Sequence, residues 1–292
     1  MKNLDIDCFE NKGFIVVKDI FSEDEIKSMR RSYKEMKNFC VENNLYNTLE
    51  GSPDLFLLKG DLCSFPYLKK FNYLVFNEKI VNVVKKLIGE EVIYFGESNC
   101  QSGPTPGGFH KDNRLNDREN RNGLDFIGDY PLVRVAIYLQ DSDIYSGGLK
   151  IMPGSHKIPT SKFLTGGLNL SAKAGDLVIW KLTTSHSGHA KKLKFFKNIS
   201  FHPRFEKLIP SKVENKKNIE RRAMFIVYGA PGAHLERYIE YFKNRDDYKD
   251  YLKYAGFSKE TEDLAIKAGV KHVKPIKDYG IDQNLFSASD TE

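Results

Sequence analysis

Three consecutive residues, His110-Lys-Asp112, set an imidazole and a carboxylate two positions apart. In an extended segment alternate side chains share a face, so both groups can point at one spot. A second imidazole from a distant part of the chain would close a three-point cage, and His186, His189, His202 and His234 all compete for that place. Two imidazoles and one carboxylate on one side of a metal leave the opposite side open. That arrangement suits non-haem Fe(II), which must also take a co-substrate and O2. The same donors could hold Zn(II) or Mn(II), as in a metal-dependent hydrolase or isomerase on a cupin-like barrel. A non-catalytic small-molecule-binding protein would have no need of all three ligands. His156, in Pro153-Gly-Ser-His156, reads as the residue closing a tight turn.

The segments that must position these groups change period along the chain. Residues 8–20 read as a strand entering from a short tail, carried by Phe14-Ile-Val-Val-Lys-Asp-Ile. Ser22 with Glu25 forms a capping box, opening a helix to about Cys40 with Ile26, Met29, Tyr33 and Met36 on one face. Residues 45–65 read as irregular. A second helix runs from Asn77 to Leu87 and stops at Gly89. From Val92 the period falls to two. Ile93–Cys100 reads as one strand, and others follow near 132–139, 148–152, 168–173, 177–182 and 221–228. Within 132–139, Arg134, Ala136 and Tyr138 share one face and Val133, Val135, Ile137 and Leu139 the other. Residues 113–130 are a polar loop beside the His-x-Asp motif. Residues 190–219 are a lysine-rich excursion with one strand expected at Phe195–Phe201. Residues 234–268 return to helix, and 270–292 read as a loosely held tail. Many short strands separated by turn residues point to a β-sandwich or jelly roll.

A chain of 292 residues, 40% hydrophobic and 12% aromatic, buries a sizeable core and is not disordered. No repeat or linker divides it, so one domain is expected over 1–292. Its parts would be a helical N-terminal part to about 90, a β core over about 91–230 and a helical C-terminal part over about 231–270. The net charge of +6, on 45 basic and 39 acidic residues, reads as a lysine-rich solvated surface. Cys8, Cys40, Cys63 and Cys100 show no metal or redox spacing, which suits reduced thiols in a cytoplasm. The N-terminus has no apolar run of a leader, and no stretch reaches the ~20 apolar residues of a membrane helix. A single Trp and scattered lysines offer no stacking platform for nucleic acid. The expectation is a cytoplasmic protein, monomeric or homodimeric, with a small-molecule substrate and neither a membrane nor a nucleic-acid partner.

Four segments resemble the phytanoyl-CoA dioxygenase (PhyH-like) family of Fe(II)/2-oxoglutarate-dependent oxygenases. They are Gly107-Gly-Phe-His110-Lys-Asp112; Val133–Asp141 with Ser146-Gly-Gly-Leu149 and Met152-Pro-Gly-Ser-His156; Ala174-Gly-Asp-Leu-Val-Ile-Trp180 with His186 ten residues after Asp176; and Arg221-Arg-Ala-Met-Phe-Ile-Val-Tyr228. The opening Gly13-Phe-Ile-Val-Val and Phe21-Ser-Glu-Asp-Glu-Ile is similar too. The match is close over 90–230 and looser in the N-terminal helical part.

The resemblance implies a double-stranded β-helix, a cupin-like jelly roll within a mainly β chain with helical additions (α+β), flanked by N- and C-terminal helices. It implies that His186 is the third ligand, with His110 and Asp112, of a catalytic Fe(II). The co-substrate would be 2-oxoglutarate, its distal carboxylate gripped by an Arg fork. Arg221 and Arg222 compete for that role on opposite faces; the family pattern aligns Arg221, and alternation puts Arg221, Ala223 and Phe225 inward. Ala136, Tyr138, Asn99 and Ser187 are further candidates around the co-substrate. Asn113, Arg114 and Arg134 are candidates for the substrate, and Gln101 reads as facing inward with Asn99. Related halogenating enzymes replace the carboxylate at the Asp112 position by a small residue. The carboxylate here therefore implies hydroxylation of an unactivated C–H, with O2 consumed and succinate and CO2 released.

Overall fold

The computed structural model describes residues 4–49, 52–63, 69–103, 107–113, 123–142, 145–160, 162–196, 199–206, 208–216, 220–244 and 257–272. The first helix, α1 (Ile6–Lys12), lies where the sequence suggested the start of a strand. Asp5 caps it by accepting from the Cys8 N–H, and Gly13, at φ +80°, ends it in the left-handed region. A Cβ at Gly13 would fall 2.4 Å from His156 Nδ1, so the joint into β1 (Phe14–Val17) needs glycine for both conformation and space. The next helix, α2 (Glu23–Glu42), opens on the expected capping box and buries Ile26, Met29, Tyr33 and Met36.

Residues 46–58, expected to be irregular, pair as a hairpin of β2 (Tyr46–Leu49) and β3 (Ser52–Leu58). The run Leu55-Phe-Leu-Leu58 carries no alternation to announce a strand. Two helices follow, α3 (Lys69–Val75) and α4 (Glu78–Ile88). The Asn77 side chain caps α4, and Gly89 follows it. Burial of Ile80, Val81, Val83, Val84, Leu87 and Ile88 contributes up to about 2 kcal/mol per side chain.

The expected strand Ile93–Cys100 is two strands, β4 (Val92–Tyr94) and β5 (Ser98–Ser102), broken at Gly96 with φ +90°. Strands β6 (Leu132–Tyr138), β7 (Gly148–Ile151), β8 (Leu168–Asn169) and β9 (Leu177–Lys181) lie where period two placed them. His186–Ala190 forms a further strand, β10. No strand covers the described residues of 195–201; a short helix, α5 (Pro203–Glu206), lies beyond them. After β11 (Arg222–Gly229) come α6 (Ala233–Lys243), α7 (Lys259–Ala268) and β12 (Val270–His272), which pairs parallel with β4 instead of trailing loose.

The large sheet runs β1-β9-β6-β11-β5-β3-β2, with β4 on β11; β10-β7-β8 form a smaller antiparallel sheet. Alternation sorts the strands of the large sheet between two cores. Val133, Val135, Ile137, Leu177, Ile179, Met224 and Ile226 pack with α2, α3 and α4. Ala136, Tyr138, Val178, Trp180 and Ala223 pack with Leu149 and Ile151 of the small sheet. The two sheets thus face each other in a jelly-roll sandwich, with the helices on the outer face of the larger one. The four cysteines are free thiols, three of them buried. Among the described residues no helix is long and apolar enough to cross a membrane.

Candidate metal centre

The site lies between the sheets. Residue 110 does not belong to a regular strand, so the expected in-strand alternation is replaced by a bridge and a turn. His110 and His186 exchange backbone hydrogen bonds of 3.0 and 2.9 Å, and the Asp112 N–H then turns back to the Leu182 carbonyl at 2.9 Å. The imidazole centroids stand 4.4 Å apart, and His186 Nε2 is 3.6 Å from Asp112 Oδ1. One donor atom from each of His110, Asp112 and His186 lies within 4.8 Å of the others.

Second contacts aim these donors. His186 Nδ1 sits 3.0 Å from the Thr184 carbonyl and His110 Nδ1 3.2 Å from that of Gly108. A proton on each Nδ1, donated to these carbonyls, leaves both Nε2 lone pairs for an ion. The Trp180 indole N–H donates to Asp112 Oδ2 at 3.0 Å, and Arg134 Nη1 lies 3.2 Å from Oδ1. Arg134 also pairs with buried Glu97. Lys111, between the two ligands, buries its ammonium stem and donates to the carbonyls of Ser155 and Thr183, strapping the loop to two others. Burial pushes its amine down to about 7.

These surroundings shift the titration of Asp112 and His186. Burial disfavours the Asp112 charge, but Arg134 and the two imidazoles outweigh it and hold the carboxyl down at about 2. Burial pushes His186 down to about 4 against the opposing pull of Asp112. His156 is likewise down at about 4 through burial, its Nε2 3.0 Å from the Glu10 carbonyl, as a structural turn residue. Both histidines bind a proton less readily folded than unfolded. Their stabilising effect is complete above the ordinary value near 6.5 and is lost as pH falls towards 4. Urea titrations of the metal-free protein should show stability falling across that window, by an amount on the order of 3 kcal/mol for His186 and less for His156. A flat profile from pH 7 to 4.5 would contradict the burial described.

The donors open into a cavity of about 270 Å³ whose wall includes Asn99, Gln101, Arg134, Trp180, Arg221 and Phe225. Arg221 is 6% exposed; its Nε donates to the Gly147 carbonyl at 2.8 Å, its guanidinium lies over the Tyr138 ring, and Nη1 has no hydrogen-bond partner among the described residues. Arg222 points to the other face, against Glu220 and the Tyr33 ring, and is outside the cavity wall. Four other sequence candidates are also outside it. Ala136 and Tyr138 have the expected face but lie deeper, in the core between the sheets. The Ser187 hydroxyl is spent on the Gly107 carbonyl at 3.0 Å, and the Asn113 amide on Asp125 at 3.0 Å. Arg114 and the His189 side chain lie outside the described residues. His202 packs on Phe109, and His234 pairs with Asp125, so neither reaches the cage.

Trp180 and Glu97 were missed in the sequence. Alternation from Val178 puts Trp180 on the inward face, which could have flagged it; nothing marked Glu97. Trp180→Phe keeps the ring but loses the N–H donor to Asp112. It should weaken metal affinity about 10- to 100-fold in a calorimetric titration, and an unchanged affinity would remove the indole from the design.

Known proteins share this architecture. Among solved structures, the non-haem α-ketoglutarate-dependent epimerase SnoN from nogalamycin biosynthesis superposes with TM-score 0.52 at 13% identity, covering 77% of this chain and 80% of its own. HygX from Streptomyces hygroscopicus, with nickel, 2-oxoglutarate and hygromycin B bound, gives 0.51 at 15%, covering 76% and 84%. EctD from S. alaskensis, with 2-oxoglutarate and 5-hydroxyectoine, gives 0.50 at 18%, covering 77% and 74%. A search of curated proteins finds no significant match. The Phytanoyl-CoA dioxygenase (PhyH) family model matches residues 9–197. That span takes in the His-x-Asp turn and the distal histidine alike and stops short of Arg221; on it, the chain belongs to the phytanoyl-CoA dioxygenase family.

Proposed function

We propose that the protein is an Fe(II)- and 2-oxoglutarate-dependent oxygenase that hydroxylates an unactivated C–H of a small molecule. The observation that carries this reading is the sharing of one cavity by the His110–Asp112–His186 cage and the buried guanidinium of Arg221. The donor set fits Fe(II): two imidazoles whose Nδ1 atoms face backbone carbonyls, and one carboxylate held ionised, leaving one side of the ion open. Iron with the keto acid supplies the oxidising chemistry when bound.

The chain's own part is holding and excluding. Arg221 offers Nη1 to the distal carboxylate of 2-oxoglutarate, with Nε already fixed on Gly147. Trp180 and Arg134 fix the Asp112 carboxylate. Asn99 and Gln101, on the polar strand β5, present amides towards the co-substrate or substrate, while Phe225 and Leu149 keep part of the wall dry. Release of succinate and CO2, and the oxidation of a C–H rather than inversion at a carbon, belong to this proposal; SnoN, an epimerase of the same fold, marks the neighbouring outcome.

The test is an anaerobic titration with Fe(II) and 2-oxoglutarate, watching for the weak visible charge-transfer band of an iron–keto-acid chelate, in wild type and His110→Ala. A band in wild type that the variant lacks, with succinate release in air, supports the reading. Folded protein without a band in either would overturn it in favour of a hydrolytic or binding role.

A further inference from the structure

The positive charge of the chain is not spread evenly. Residues 190–219 hold nine Lys and Arg against two acidic residues, a local +7; since the chain as a whole is +6, the remainder is −1. Both acidic residues of the segment are turned inward. Glu206 is 7% exposed and pairs with fully buried Lys150, and Glu214 is 1% exposed. Lys194, Arg204, Lys212 and Lys216 are exposed, so the outward charge there is basic.

The same segment and the stretch beside it also show apolar side chains to water. Leu164 is 97% exposed, Phe195 85%, Leu208 76% and Phe196 61%. This exposure does not come from a loose segment. Lys150 and Glu206 pin it from beneath, Lys192 donates to the Ser142 and Leu170 carbonyls, and Leu193 bridges Glu214. The Ser200 hydroxyl binds the Gly166 carbonyl, which ties the stretch carrying Leu164 and Lys162 to the segment. Phe109, next to the ligand His110, stacks edge-on against His202 and Phe163, so the face adjoins the metal loop.

We propose that this face is an interfacial docking surface that seats the protein on an anionic lipid bilayer. Lysines around fixed, water-exposed Phe and Leu match such an interface: the rings and aliphatic chains enter the headgroup boundary while the ammonium groups meet lipid phosphates. A second copy of the chain fits less well, because two +7 segments would repel. Nucleic acid would satisfy the lysines but gains nothing from Leu164 and Leu208. The sequence offered no spanning helix, and none is needed for peripheral seating.

The experiment is flotation of the full chain with vesicles of phosphatidylcholine containing about 30 mol% phosphatidylserine, against phosphatidylcholine alone. Each is run at roughly 0.1 and 0.5 M NaCl, which brackets weak and strong screening. Wild type should float with the anionic vesicles only, and mainly at low salt. Phe195→Ser/Phe196→Ser and Lys194→Glu/Lys212→Glu should each lose about tenfold or more in partitioning. Thermal melts and Fe(II) affinity of both variants should stay at wild-type values. No flotation, or flotation that neither double variant weakens, overturns the proposal. So does a salt-sensitive gel shift of an oligonucleotide without flotation, or self-association in sedimentation that Phe195→Ser/Phe196→Ser abolishes without flotation.

Discussion

Replacing His186 by alanine is expected to lower Fe(II) affinity by more than about a hundredfold, the largest single effect in the molecule. The side chain is 4% exposed, supplies one of three donors, and packs against the Trp180 ring at 5.1 Å. Loss of a direct ligand should exceed the 10- to 100-fold typical of an outer-shell partner. His186→Ala also leaves a void beside Trp180, so some loss of stability is expected. His186→Gln keeps much of the volume and a donor of poorer geometry, and should recover stability more than affinity. Calorimetric titration of Fe(II) with a parallel melt separates the two effects. Near-native affinity in a folded His186→Ala would shift the third ligand to another histidine, with His189 next in line on the same strand.

The second large effect belongs to Arg221. Arg221→Ala should raise the KM for 2-oxoglutarate by about a hundredfold while leaving Fe(II) binding without 2-oxoglutarate near wild type. Removing a buried charge-assisted, bidentate partner of a carboxylate costs roughly 3 kcal/mol. Arg221→Lys keeps the charge but loses the planar fork, and should recover only part of the loss. Arg222→Ala is the control, since its side chain lies across the strand beside Glu220 and Tyr33. It should change the KM by less than about twofold. A larger effect at Arg222 than at Arg221 would exchange the two assignments, and no effect at either would remove the arginine clamp from the proposal.

What could be read from the sequence was set by period and caps. Alternation in 132–139 separated Val133, Val135 and Ile137 from Arg134, Ala136 and Tyr138 as the structure does. Ser22, Glu25, Asn77 and Gly89 bounded their helices because each satisfies backbone groups locally. The cage residues stood out by type and by motif. Depth was not legible: Ala136 and Tyr138 lie on the inward face yet under the cavity wall, since alternation gives a direction and not a distance. Strands held by partners rather than by their own composition were also hidden. His186-Ser-Gly-His-Ala190 has no strand-like pattern and is extended because β7 and His110 pair with it. The three residues of β12 depend on β4 in the same way. The strand expected at 195–201 is absent among the described residues for the opposite reason: Phe195 and Phe196 are apolar but pair with no described strand.

The reciprocal backbone pair between His110 and His186 has a consequence for how this scaffold can diversify. Two ligands 76 positions apart in the sequence (186 − 110) owe their spacing to a pair of peptide hydrogen bonds and not to the length of chain between them. Lengthening a surface loop costs little closure entropy, a fraction of a kcal/mol for each doubling. Insertions at exposed positions between the two histidines, such as beside Leu164, can therefore be accommodated while the cage keeps its dimensions. The centre and the surface between its two halves are then free to change at separate rates. A library of insertions beside Leu164 should keep the metal affinity of the parent.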